Sequence, residues 1–222
     1  MENKLKFFKI VKELNIELHD ELVKNNNHFR GNLNSFSLVS LSPEKPELGI
    51  SNLKSDTDAK NAFHRLLLKE PPKRPTPEKS LQAWIINKAL NNNNRLPFDE
   101  NIRFITSELA FRNDEGVRVV TDILGYCEKD KQICVIELKS NRALTELKKQ
   151  VKDFEDIILK NQLFFAELLK LYGHQNPNGF QKIKKIIVWP HAKTSPIEEL
   201  KKDDIDILEI TYENSYEFSV FK

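Results

Sequence analysis

The sequence predicts an α/β fold: a mixed central sheet flanked by helices, with an α-rich N-terminal extension. Three observations predict it. Apolar, strand-like runs succeed one another at 102–112, 117–126 and 133–139. The hydrophobic period then changes to helical from Leu144 onward. A compact apolar run, Ile183 to Trp189, comes after that helical stretch, so strand, helix and strand alternate as layered α/β architectures require.

From the N-terminus, residues 3–24 read as a helix, because Leu5, Phe8, Val11, Leu14, Leu18 and Leu22 recur at three- and four-residue steps. Asn25-Asn26-Asn27 ends it. Residues 35–41 alternate enough for a strand, and Pro43 and Pro46 then interrupt regular structure. Residues 56–69 form a second helical pattern, with Ala59, Ala62, Phe63, Leu66 and Leu67 on one side and His64 as a boundary polar residue. Residues 71–77, Pro-Pro-Lys-Arg-Pro-Thr-Pro, read as an extended linker. The chain therefore divides into an accessory region, 1–70, this linker, and a domain over 78–222. The accessory region is open to substrate recognition, a dimer contact or a partner site.

Thr76 is placed as an N-cap with Pro77 at the first helical position, and the helix runs to about Leu90 with Leu81, Ile85 and Ala89 inward. Asn91 to Leu96 reads as a polar loop, and its Asn run as compositional bias. The three strand-like runs then form an antiparallel meander. From Leu144 the inward side is Leu144, Leu147, Val151, Phe154 and Ile158, and the helical pattern continues to Tyr172. Residues 183–189 are a strand stopped by Pro190, 196–202 a short helix, and 205–212 and 216–221 two last strands.

The composition is that of a soluble protein with a substantial core: 39% hydrophobic, 31% charged, over 222 residues. The net charge is only +2, so any nucleic-acid surface must be local. No apolar stretch approaches the length of a membrane span, and the charged N-terminus lacks a signal-peptide core. Cys127 and Cys134, diagonal neighbours at the hairpin ends, are expected as reduced thiols in a cytoplasmic protein rather than as a disulfide.

The chemistry concentrates between Val117 and Phe154. In the run 133–139, Ile133, Val135, Glu137 and Lys139 share one strand face, and Cys134, Ile136 and Leu138 the other. If Glu128 to Lys131 form a four-residue hairpin loop, Asp122 falls directly opposite Glu137. An odd loop or a bulge would break that inference. Two carboxylates side by side suit a hard divalent ion such as Mg²⁺ or Mn²⁺, which keeps waters and a substrate phosphate as further ligands. A Lys beside them can orient an attacking water and offset phosphate charge. The bland alternative is a surface salt bridge.

Asp122, a gap of about fifteen residues, then Glu137-Leu138-Lys139 at a strand end resembles the PD-(D/E)XK nuclease superfamily. Gln150, eleven residues after Lys139 on the next helix, is similar to the Gln of RecB-like members, and Glu78 resembles their first-helix acid. The spacing is nearest to the mismatch-cutting nucleases of RecB-like type from archaea and actinobacteria. Thr121 stands where the name-giving Pro would be, and Phe154 where RecB-type members carry a Tyr. The second departure bears on exonuclease-type behaviour more than on cleavage.

The resemblance implies a restriction-endonuclease-like core and Mg²⁺- or Mn²⁺-dependent endonuclease activity, on DNA in preference to RNA. Asp122 and Glu137, with the Leu138 carbonyl, would bind the ion; Lys139 would position the water; Gln150 and Glu78 would orient that water or the ligands. Glu108 is the alternative first-motif acid. Glu78 is equally a dipole-complementing acid in a first helical turn, and Gln150 can also be read as the wet edge of an apolar stripe. A homodimer is allowed and a membrane partner is not expected. The competing readings are a non-cleaving nucleic-acid-binding or scaffold module on the same fold, and an interaction domain whose acid–Lys cluster is only a salt-bridge network.

Overall fold

The structure is a computed structural model and describes residues 77–140, 147–175, 179–191, 207–213 and 217–220. The elements expected before residue 71, linker residues 71–76, Leu144 and the short helix 196–202 lie outside the described residues.

Helix α1 spans Pro77–Leu90, beginning on the proline whose missing N–H is an orphan donor in any first turn. Asn91 to Asn94 then reverse the chain. Asn93 and Asn94 sit at φ 50° and 62°, in the left-handed region that Asn tolerates best after Gly. The Asn run is thus turn chemistry, not compositional bias. It leads into a two-residue strand β1, Arg95–Leu96, where a polar loop was expected.

Strands β2 (Asp99–Arg112), β3 (Arg118–Cys127) and β4 (Gln132–Leu138) form the expected antiparallel meander. Helices α2 (Leu147–Lys160) and α3 (Gln162–Leu171) come next. The single expected helix breaks at Asn161, whose backbone is non-helical (φ −118°, ψ 35°) and whose side-chain amide donates to the Ile157 carbonyl at 2.8 Å. That local bond competes with continuation of the helix. Strands β5 (Lys184–Pro190) and β6 (Ile207–Tyr212) then add in parallel, and β7 (Phe218–Val220) closes the order antiparallel to β6.

Among the described residues the sheet has seven strands in sequence order, β1 to β7. It is mixed and helix-flanked, consistent with a restriction-endonuclease-like core. Its sense changes at β4, antiparallel to β3 and parallel to β5, and again at β6, parallel to β5 and antiparallel to β7.

Strand alternation sorts β4 between two cores. Ile133 and Val135 pack with Phe154, Ile157 and Ile158 of α2 and with the phenylalanines of α3. Cys134, Ile136 and Leu138 pack with Leu81, Ile85, Ile86 and Ala89 of α1. Each of the larger aliphatic side chains stabilises the fold by about 1.5–3 kcal/mol when fully buried. The N-terminal half of α2 lies over the parallel strands, where Leu147 and Val151 meet Ile187, Trp189 and Ile207. Cys127 and Cys134 are free, buried thiols, and burial raises both above the ordinary thiol range. Cys127 pairs with Gln132, two residues short of Cys134, so the cysteines are diagonal as expected.

Gly125 is required by close packing. A Cβ there would lie 2.8 Å from Ile102 Cγ2 and 3.1 Å from the Arg103 carbonyl oxygen. Gly125→Ala should therefore destabilise the fold by about 1–3 kcal/mol, the usual cost of overpacking. Chemical denaturation would detect this as a lower midpoint; an unchanged midpoint would mean that the β2–β3 pair yields without cost.

Candidate active site

The loop from Glu128 to Lys131 has four residues, since Cys127 pairs with Gln132. The pairing runs in one register to Ile123 opposite Ile136, so Asp122 and Glu137 are the next opposed pair. Here the ladder changes character. Successive N–H groups of a strand point to alternate sides. The Lys139 N–H goes to the Val188 carbonyl on β5 at 2.9 Å. The Leu138 N–H therefore points towards β3, where it donates to Asp122 Oδ2 at 2.8 Å. A side-chain carboxylate has taken the place of a ladder carbonyl. In a strand a residue's C=O points the same way as its N–H, so the Leu138 carbonyl is directed to the β3 side too.

Glu137 lies on the α2 face of β4, the next residue after Val135 on that face, and is only 2% exposed. Its Oε2 is 3.8 Å from Lys139 Nζ. Its carboxyl group is hydrogen-bonded to Asp122, while its Oε1 is buried and has no hydrogen-bond partner among the described residues. Burial pushes the Glu137 carboxyl well above the usual carboxylate range, the neighbouring Asp122 charge adds to the rise, and Lys139 opposes it.

Helix α1 brings two further groups from the other layer. Glu78 Oε1 lies 3.9 Å from Lys139 Nζ, so the ammonium stands between Glu78 and Glu137. One turn on, Gln82 Nε2 donates to the main-chain carbonyl of Asp122 at 2.8 Å. The sequence reading missed Gln82. Its signal was an amide between Leu81 and Ile85, four residues after Glu78 and thus on the same side of the helix.

Gln150 is on the buried side of α2, between Leu147 and Phe154, and its Oε1 is another buried oxygen without a partner among the described residues. Its neighbours Leu147 and Val151 pack on Ile187, the residue paired with Glu137 on β5. Phe154 is wholly buried against Phe111 and Phe165, so that position faces the core. Glu108 is in β2, but its side chain lies outside the described residues, as do Arg142 and the Lys148 side chain. Lys149 and Lys152 are exposed on α2.

Glu209 was also missed. It is a buried acid on β6 that accepts the Trp189 indole N–H at 2.6 Å. It pairs with Ile187, two strands from Glu137. An acid inside an apolar strand run was its signal, as it was for Glu137.

The structure thus gathers Asp122, Glu137, Lys139 and Glu78, and adds Gln82. The donors are oxygens, which fits a hard cation, and Glu137 Oε1 is an unsatisfied acceptor that a cation would satisfy. Among the described residues no group of three or more His, Cys, Asp or Glu has metal-holding geometry. Two carboxylates and a carbonyl match an ion that retains water and substrate ligands rather than one caged by protein.

No family model matches the chain, and no curated protein matches it. Solved structures similar to it include the following two. One is described as an EndoMS–dsDNA complex: 20% identity, TM-score 0.37, covering 64% of this chain and 48% of that one. The other is a repair endonuclease from Pyrococcus abyssi: 21% identity, TM-score 0.35, covering 65% of this chain and 50% of that one. The chain spans about half the length of each.

The raised Glu137 carboxyl makes a stability prediction. The folded state holds this proton more tightly than the unfolded chain. That contribution is complete below the ordinary carboxyl range and is lost as pH rises through the raised folded value. Glu137→Gln keeps the shape of the protonated form at every pH. In EDTA the variant should come close to the parent at about pH 4 and be more stable than it at about pH 8. Denaturation at both pH values checks this; a variant equally destabilised at both would refute the assigned cause.

Proposed function

We propose that the chain is a Mg²⁺- or Mn²⁺-dependent endonuclease that hydrolyses phosphodiester bonds, in DNA rather than RNA. The supporting observation is the convergence of Asp122, Glu137 and Lys139 at the end of β4, with one Glu137 oxygen buried and unsatisfied. A surface salt bridge accounts for none of this. Lys139 Nζ is 3.8 Å from a carboxylate that is only 2% exposed, and desolvation of that acid is a cost which an ion pair alone rarely offsets. The choice of DNA rests on the motif resemblance.

Asp122, Glu137 and the Leu138 carbonyl would hold the ion. When bound, it supplies a Lewis acid for a phosphate oxygen and for water. Asp122 is held ready by the Leu138 N–H. Lys139 is set between Glu78 and Glu137, which keeps its ammonium at the strand end, where its N–H donors orient a water and offset charge gathering on the phosphoryl oxygens. The water oxygen forms a bond to phosphorus as the bond to the opposite ester oxygen breaks; the water proton leaves to solvent or to a neighbouring base, and the departing oxygen takes a proton from solvent to become the product hydroxyl. Gln150 presents its unpartnered Oε1 as an acceptor for the ordered water.

Purified protein incubated with supercoiled and linear plasmid should nick or linearise the circle in Mn²⁺ and not in EDTA. Alanine at Asp122, Glu137 or Lys139 should reduce cutting by roughly 10²-fold or more while leaving the fold intact. Cutting that survives in those variants would sink the assignment. A salt-sensitive mobility shift without cutting, in parent and variants alike, would instead establish a binding module.

A further inference from the structure

Asp122 is anchored at both ends, and the second anchor lies outside the acid–Lys motif. Its carboxylate accepts the Leu138 N–H from β4. Its main-chain carbonyl accepts Gln82 Nε2 from α1, on the other layer, at 2.8 Å. Gln82 is 1% exposed, on a helix whose neighbouring side chains Leu81, Ile85 and Ile86 are fully buried. A primary amide in such surroundings is costly unless its donors find acceptors. One acceptor it finds is the backbone of the residue that carries one of the two candidate metal-binding carboxylates. One anchor fixes the Asp122 side chain and the other fixes the strand that bears it. Together they set where the carboxylate stands relative to Glu137.

We infer that Gln82 is a positioning residue that holds Asp122 in register with Glu137 from helix α1. The inference rests on the nuclease reading above. It also gives α1 a second role, because Glu78 and Gln82, one turn apart, address Lys139 and Asp122 in turn. As a positioning residue it acts through Asp122, whose main-chain carbonyl it holds.

The test uses the full chain, with Mn²⁺ binding followed by titration calorimetry and plasmid cutting followed in parallel. Gln82→Leu keeps the bulk and removes the donor. It should weaken Mn²⁺ binding or lower kcat by about 10–100-fold, the usual effect of losing a group that orients a ligand, with KM for DNA unchanged. Gln82→Met removes the same donor with an unbranched side chain of closely similar length, and it should show the same loss with KM for DNA again unchanged. Parent-like Mn²⁺ affinity and kcat in Gln82→Leu would overturn the inference and leave the nuclease reading standing. Should Gln82→Leu fail to fold, parent-like Mn²⁺ affinity and kcat in Gln82→Met would overturn it instead. A parent protein that neither binds Mn²⁺ nor cuts would overturn the nuclease reading, and this inference with it.

Discussion

The bond from the Leu138 N–H to the Asp122 carboxylate, 2.8 Å long, is the interaction on which the site depends. A hydrogen bond to an ionised acceptor contributes about 1.5–3 kcal/mol, more than an ordinary ladder bond. Its structural effect is larger. It ends the β3–β4 ladder with a side chain instead of a carbonyl, and so turns a carboxylate inward beside the second carboxylate on β4. Burial raises the Glu137 carboxyl, and the nearby Asp122 charge raises it further, because two acids share one strand end. Lys139 is the local compensation.

That strand end lies where the sheet changes sense. On one side β4 pairs antiparallel and on the other parallel, and the two helical layers press on its two faces. Alternation sends Glu137 to the α2 side and Leu138 to the α1 side. At the end of the strand these layers converge, so Lys139 can reach Glu137 and also Glu78 on α1. The buried apolar contacts of α1 hold that helix in place, and two polar residues on it then reach Lys139 and the Asp122 backbone.

The legible parts of this arrangement share a property: each depends on a short-range period. The hairpin register came from a four-residue loop and strand alternation, and it placed Asp122 opposite Glu137 without further information. The illegible parts depend on contacts distant in sequence. Gln82 resembles any polar residue in a helix until the Asp122 carbonyl, forty positions away, is found against it. Glu209 is unremarkable until Trp189 donates to it. The helix break at Asn161 was missed because the apolar period continues across it while the backbone does not. The Asn91–Asn94 turn was read as composition because left-handed geometry leaves no hydrophobic pattern.

Periodicity and loop parity are local, and the amino-acid order alone therefore suffices for the α/β class, for the sequence and kind of the main elements, and for an acid, an acid and a lysine on neighbouring strands. What those residues are chemically is a matter of packing. Only the assembled layers bury Glu137, with one of its oxygens left without a partner among the described residues, carry Glu78 to within 3.9 Å of Lys139, and set Gln82 against the Asp122 backbone. Desolvation and cross-layer distance belong to the three-dimensional arrangement, and no single stretch of chain contains them.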